Sequence, residues 1–253
     1  MLPTDKLVVI TRGSQDALPL RALLEAAGAP VYELPTIRRV KKALGRQERT
    51  ALAALATYDY LIFTSAQAVT SFMEEADKAG LQRAAFSEVK IAAIGPLTAA
   101  AVRERGLSVH LVPRRFTSQD LVRTLPGLTG KKILVSRSEI ALPDLLRGLR
   151  GKGGAVTEIN PYTTLPVQED DLVFNRLLAG GQVGCLTFTS PSCVAGFPGR
   201  LKDSIVLEKA LSLPAVCIGP RTAQAALRLG FTRVSCAEPF SVEGMVRTLQ
   251  ELT

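Results

Sequence analysis

The chain has 253 residues, 47% of them hydrophobic and 21% charged, with 31 Lys and Arg against 23 Asp and Glu for a formal net charge of +8. That composition can bury a core, which excludes disordered and collagen-like architectures. No apolar run reaches the ~18–20 residues of a membrane span, because the richest, Ile91 to Val102, is cut by Gly95-Pro96 and Thr98. Two domains fit the length at roughly 100–200 residues each, and the positive charge favours an acidic partner: nucleic acid, an anionic membrane or a polyanionic small molecule.

The first predicted element is a strand around Leu7–Thr11. It is too brief for a signal-peptide core and lacks a small-residue cleavage site, so a cytoplasmic protein is expected. A second strand follows at Val31–Leu34. Next comes the densest basic stretch, Arg38, Arg39, Lys41, Lys42, Arg46 and Arg49, opposed only by Glu48, which reads as a solvated connector or as a binding patch. Aromatic residues are 5% of the chain, Trp is absent, and no RNP-type stretch, KH-type loop or paired zinc ligands are seen, which argues against nucleic acid. A third strand at Tyr60–Phe63 leads into Thr64-Ser65-Ala66-Gln67, and a fourth at Ile91–Ile94 into Gly95-Pro96-Leu97-Thr98. A fifth, Val109–Val112, carries His110, the single histidine. One histidine rules out a two-histidine metal site, and a Ser-His-Asp triad would need this residue; at a strand end it reads as structural or merely exposed.

The second half repeats the first. Val8-Val9-Ile10-Thr11-Arg12 matches Ile133-Leu134-Val135-Ser136-Arg137 at an offset of 125, and Thr64-Ser65 followed by Ala68-Val69 matches Thr189-Ser190 followed by Cys193-Val194 at 125. Ile94-Gly95-Pro96 with Thr98-Ala99 matches Ile218-Gly219-Pro220 with Thr222-Ala223 at 218 − 94 = 124, and Val122-Arg123-Thr124-Leu125 matches Val246-Arg247-Thr248-Leu249 at 124. The chain is thus a tandem duplication of a domain-sized unit, each copy with five short apolar strands separated by amphipathic helices. This predicts two α/β domains with flavodoxin-like or Rossmann-like parallel sheets. The four cysteines, Cys185, Cys193, Cys217 and Cys236, contain no C-x-x-C pair and read as buried thiols.

In open parallel sheets ligands bind beyond the carboxyl ends of the strands. The turns there, Thr64-Ser65 and Thr189-Ser190, Gly95-Pro96 and Gly219-Pro220, are good helix starts: hydroxyls cap amides, Pro suits the first turn, and Gly admits a close ligand. Capping alone explains them; so does anion binding by helix N-termini. No G-x-G-x-x-G or P-loop is present, and Gly151-Lys152-Gly153-Gly154 precedes a strand, which disfavours a nucleotide.

Taken together, Thr11-Arg12, Asp59 through Val69, Ala93-Ile94-Gly95-Pro96 with Thr98-Ala99, Thr187-Phe188-Thr189-Ser190-Pro191-Ser192, Ile218-Gly219-Pro220 with Thr222-Ala223, and Ser241-Val242-Glu243-Gly244-Met245 resemble the uroporphyrinogen-III synthase family nearly end to end. Gln67, where the family often has Asn, and Arg221, where a small or polar residue is common, depart from it.

The resemblance implies two domains joined by a two-stranded connector, the first discontinuous: 1–36 with 166–253, and 37–165, with crossings near Pro35–Arg38 and Thr163–Val167. It implies cofactor-free, metal-free cyclisation of the linear tetrapyrrole hydroxymethylbilane to uroporphyrinogen III, with loss of water and inversion of the last ring. The substrate's eight carboxylates suit a basic chain, and a hundredfold preference over unaided closure to the uninverted isomer needs only ~2.7 kcal/mol. By resemblance Tyr162, expected just after the strand near the second crossing, is the candidate general acid, and Ser65, Thr98, Ser190 and Thr222 are substrate-binding positions. Arg12 and Arg137, equivalent in the repeat, are carboxylate contacts or ordinary ion pairs. A cytoplasmic monomer is expected, fed by hydroxymethylbilane synthase, with no nucleic-acid or membrane partner. The alternative is a non-catalytic tetrapyrrole or small-anion sensor.

Overall fold

A computed structural model describes residues 5–141 and 143–252. The first copy of the repeat opens with β1 (Leu7–Ile10), α1 (Ser14–Ala26) and β2 (Val31–Glu33), then β3 (Ile37–Lys41) and α2 (Arg46–Ala53). It continues through β4 (Tyr60–Phe63), α3 (Ala66–Lys78), β5 (Lys90–Ala93), α4 (Pro96–Glu104) and α5 (Ser118–Thr124). The second copy runs β6 (Lys132–Ser138), α6 (Asp144–Gly151), β7 (Ala155–Pro166), α7 (Leu172–Ala179) and β8 (Val183–Phe188). After these come α8 (Pro191–Gly196), α9 (Ser204–Leu211), β9 (Pro214–Cys217), α10 (Pro220–Leu229), β10 (Arg233–Cys236) and α11 (Val242–Glu251). Among the described residues no helix is long and apolar enough to cross a membrane.

Contacts divide the chain into unit 1, Met1–Arg38 with Leu165–Thr253, and unit 2, Arg39–Thr164. Unit 1 holds a sheet in the order β10-β9-β8-β1-β2, with every pair parallel. Unit 2 is built on β7-β6-β4-β5, also parallel, with β3 added beyond β7. Each unit therefore joins the first two strands of one copy to the later strands of the other. The chain crosses twice along β3 and β7, where Val167 N donates to Thr36 O and Lys42 N to Pro161 O. One partner number rises while the other falls, so this pairing is antiparallel.

Both sheets are covered on two faces, and strand alternation sorts the core accordingly. In unit 1, Val8 and Ile10 face Leu20, Leu24 and Met245, while Val9 faces a layer containing Phe174, Phe188 and Phe197. In unit 2, Leu61 and Phe63 pack with Phe72, and Tyr60 and Ile62 with Leu121 and Leu145. Phe63 and Phe72 meet edge to face, centroids 5.4 Å apart. Each such side chain contributes about 1.5–3 kcal/mol on burial. The first crossing is pinned to α8: Thr36 Oγ1 donates to Cys193 O at 2.8 Å, and a side chain at Gly196 would begin 2.2 Å from Thr36 O, so only glycine fits.

Two expectations change. The strand expected at Val109–Val112 is a single bridge, Ala92 to Leu111, because His110 Nδ1 accepts the Ile91 N–H at 3.1 Å and replaces a ladder carbonyl. Tyr162 lies within β7, not after it, because β7 continues into the crossing instead of ending at the sheet edge. Part of the basic stretch is paired, with Lys41 on Glu74 at 2.8 Å and Lys42 on Glu139 at 2.6 Å. All four cysteines are free thiols, and burial pushes Cys185 and Cys217 up to about 12.

Candidate functional site at the two sheet edges

Every site residue expected from the sequence stands at or near the carboxyl edge of its own sheet. In unit 2, β4 is followed by Thr64-Ser65, and Ser65 caps α3 by accepting the Ala68 N–H at 3.0 Å. The same oxygen lies 3.0 Å from the Tyr162 hydroxyl, which β7 carries to this edge beside Ser138 at the end of β6. Tyr162 is buried. Residues 97 apart in sequence thus form one hydroxyl pair at a helix N-terminus, where the helix dipole is positive.

Arg137, on β6, is turned inward. Burial pushes its guanidinium below its ordinary value, while Glu158 and Tyr162 pull it back. It donates to the carbonyls of Ser138 and Ala141, fastening the loop after β6.

Unit 1 repeats the frame. Ser190 caps α8 through Cys193 N at 3.3 Å, touches Ser192 Oγ at 2.9 Å and accepts from Arg12 Nη1 at 3.4 Å. Arg12 also pairs with Asp16 at 3.2 Å. The next helix start differs in both units: α4 and α10 begin at Gly95-Pro96 and Gly219-Pro220 without any side-chain cap. Thr98 and Thr222, in these first turns, are only 5% and 3% exposed, and neither hydroxyl makes a hydrogen bond among the described residues. Ser138 Oγ and Thr189 Oγ1, at the ends of β6 and β8, are sealed from solvent and also partnerless. Hydroxyls without a protein partner thus stand at the edge of each sheet, where a polar ligand can supply one.

A cavity of about 710 Å³ in unit 2 is lined by Thr57, Tyr58, Lys132 and Ala155, at the starts of β4, β6 and β7. It opens at the opposite edge from the hydroxyl pair. Among the described residues no cluster of His, Cys, Asp and Glu is placed to hold a metal ion.

The sequence reading missed Phe116 and Phe240, exposed residues beside Gly95 and Gly219. The signal was present, because 240 − 116 = 124 is the offset of the repeat.

Similarity to known proteins points the same way. The model for the uroporphyrinogen-III synthase HemD family matches residues 19–247. A porphyrin biosynthesis protein HemD from Ruminiclostridium josui is 29% identical over 97% of this chain, which spans 48% of that longer relative. The uroporphyrinogen-III synthase of Synechococcus elongatus is 26% identical over 97% of this chain and 95% of its own. The crystal structure of a mutant uroporphyrinogen III synthase from the extreme thermophile Thermus thermophilus superposes with a TM-score of 0.67 at 25% identity, covering 97% of this chain and 98% of that one. These matches and the doubled α/β frame define an enzyme class, the cyclising lyases of tetrapyrrole biosynthesis. The chain belongs to the uroporphyrinogen-III synthase family, whose reaction is the cyclisation of hydroxymethylbilane.

Proposed function

We propose that the Tyr162–Ser65 pair serves the first step of that cyclisation in this chain, protonating the hydroxyl that leaves hydroxymethylbilane. The observation that carries this is the 3.0 Å contact between a buried phenol and a serine already fixed by a backbone amide. Since Ser65 Oγ accepts from Ala68, its own proton can go to the Tyr162 oxygen, which leaves the phenolic proton for the substrate. Water departs, an azafulvene cation remains, and the phenolate is held by the Ser65 hydroxyl near the N-terminus of α3. The proton lost when the rings close returns to Tyr162, so the balance is one water released.

Thr98, Thr222 and Ser190 bind substrate carboxylates, supported by the partnerless threonine hydroxyls and the uncapped starts of α4 and α10. Arg12, at the surface beside Ser190, is better placed than the inward-turned Arg137 to meet a carboxylate. The enzyme acts as a cytoplasmic monomer without cofactor. It receives its substrate from hydroxymethylbilane synthase, because a bilane that closes unaided favours a short transfer.

The test supplies freshly made hydroxymethylbilane, oxidises the products and separates isomers I and III. Mostly isomer III is expected. Isomer I at the spontaneous rate, from folded protein, would make this chain a tetrapyrrole or anion sensor instead.

A further inference from the structure

Carboxylate contacts account for the rim of a tetrapyrrole but leave the flat, apolar faces of its rings unmatched. The phenylalanines of this chain supply a match. Of nine, seven are buried in the two cores: Phe63, Phe72, Phe86, Phe174, Phe188, Phe197 and Phe231. The other two, Phe116 and Phe240, are 52% and 61% exposed and occupy equivalent positions of the repeat.

Their surroundings are equivalent too. Phe116 precedes Thr117, which caps α5 through Asp120 N at 3.1 Å, and Phe240 precedes Ser241, which caps α11 through Gly244 N at 3.2 Å. A hydrophobic residue before a cap ordinarily packs on the fourth helical residue as a staple. Here those residues, Leu121 and Met245, are fully buried, while more than half of each phenylalanine is exposed. Each phenylalanine lies instead against the glycine opening the preceding uncapped helix. A methyl group on Gly95 would sit 3.8 Å from Phe116 Cβ, and one on Gly219 would sit 3.9 Å from Phe240 Cγ. Phe116 holds φ +50, the single non-glycine residue at positive φ among those described. A bulky side chain is costly there, and glycine or asparagine would serve a bare turn better.

We propose that Phe116 and Phe240 are substrate-contact residues, each phenyl taking the face of one pyrrole ring whose carboxylate lies at the uncapped helix start and buried threonine beside it. This rests on the function proposed above and extends it from the charges of the substrate to its rings. In each unit the pattern is the same: exposed phenyl, close glycine, uncapped amides, and the partnerless hydroxyl of Thr98 or Thr222.

The test uses the whole chain with Phe116→Ala, Phe240→Ala and the conservative Phe→Tyr at each position. Turnover of hydroxymethylbilane is read as KM and kcat, and binding of uroporphyrin III by its absorbance change. Each alanine variant should raise KM and weaken uroporphyrin binding about five- to thirtyfold, as expected for a lost stacking contact, while each tyrosine variant stays within about twofold. Unchanged KM and binding in alanine variants that melt with the wild type would overturn the inference. So would a lowered melting midpoint with unchanged binding, which is the signature of a staple. Should the wild type yield only isomer I yet bind uroporphyrin in a way that both alanine variants weaken, the proposed function fails and the ring contacts stand.

Discussion

Where unit 2 carries Leu97, unit 1 carries Arg221, and where unit 1 extends Arg12 toward Ser190, unit 2 folds Arg137 inward onto its own loop. The two sheet edges share a frame, with a serine cap after one strand and a Gly-Pro helix start after the next, and differ in what surrounds it. Among the described residues, unit 2 alone brings a tyrosine to its capping serine. Among the described residues, unit 1 alone carries a half-buried Tyr32–Asp171–Arg200 network, with contacts of 2.9 and 2.6 Å. The comparison teaches that duplication supplied the serine-cap and Gly-Pro frame twice, and that divergence set a tyrosine against the capping serine of one copy and an arginine against that of the other.

The sharpest way to break this comparison is through the network only one unit has. Burial pushes the Asp171 carboxyl up, but Phe174 N–H, Tyr32 and Arg200 outweigh it and hold the group below its ordinary range. Its stabilising contribution is therefore full above the unfolded value near pH ~4 and lost as pH falls through the folded one. Asp171→Ala should cost about 3–4 kcal/mol, by stranding Arg200 and uncapping α7, and should flatten the acid limb of a melting-temperature profile. An acid limb identical to that of the wild type would count against the assignment.

Tyr162→Phe should lower kcat about a hundredfold, close to 2.7 kcal/mol, with KM and the melting midpoint little changed. A retained kcat would reduce Tyr162 to a packing residue. Ser65→Ala and Ser190→Ala each remove one cap and should each cost about 1 kcal/mol of stability by denaturant titration. Only Ser65→Ala should also lower kcat, about tenfold, because only that cap holds the tyrosine, whereas Ser190→Ala should raise KM with kcat unchanged. Equal kinetic effects from the two would erase the division of labour. Smallest of all, Arg12→Gln should raise KM about threefold at low salt and less at high salt, whereas Arg137→Gln should lower the melting midpoint and leave KM alone.

Much of this was legible in the sequence. Continuous apolar runs such as Tyr60–Phe63 announce buried parallel strands, and Ser65 and Ser190 announce caps. Such runs do not say which strands pair, so the exchange of β1 and β2 for β6 and β7 between sheets was indicated by family resemblance and not by the residues themselves. The strand expected at Val109–Val112 has the alternation of one but is reduced to a single bridge by a side-chain acceptor, His110 Nδ1, that no periodicity encodes. The Tyr162–Ser65 contact spans 97 residues and depends on β7 running on past its sheet. Phe116 and Phe240 look like staples in sequence, and only their exposure separates them from that role.

The exchange of strands also sets an order of assembly on the ribosome. β1 needs β8 along its other edge, and Val183 is made long after Ile10. At ~5–20 residues per second, that wait is on the order of ten to thirty seconds. Unit 2 is contiguous and emerges whole in the interval, while Val8, Val9 and Ile10 stay without their main partner. Val8, Val9 and Ile10 are thus among the last core residues to be buried, and a chaperone that covers them would act on the nascent chain before the second crossing is made.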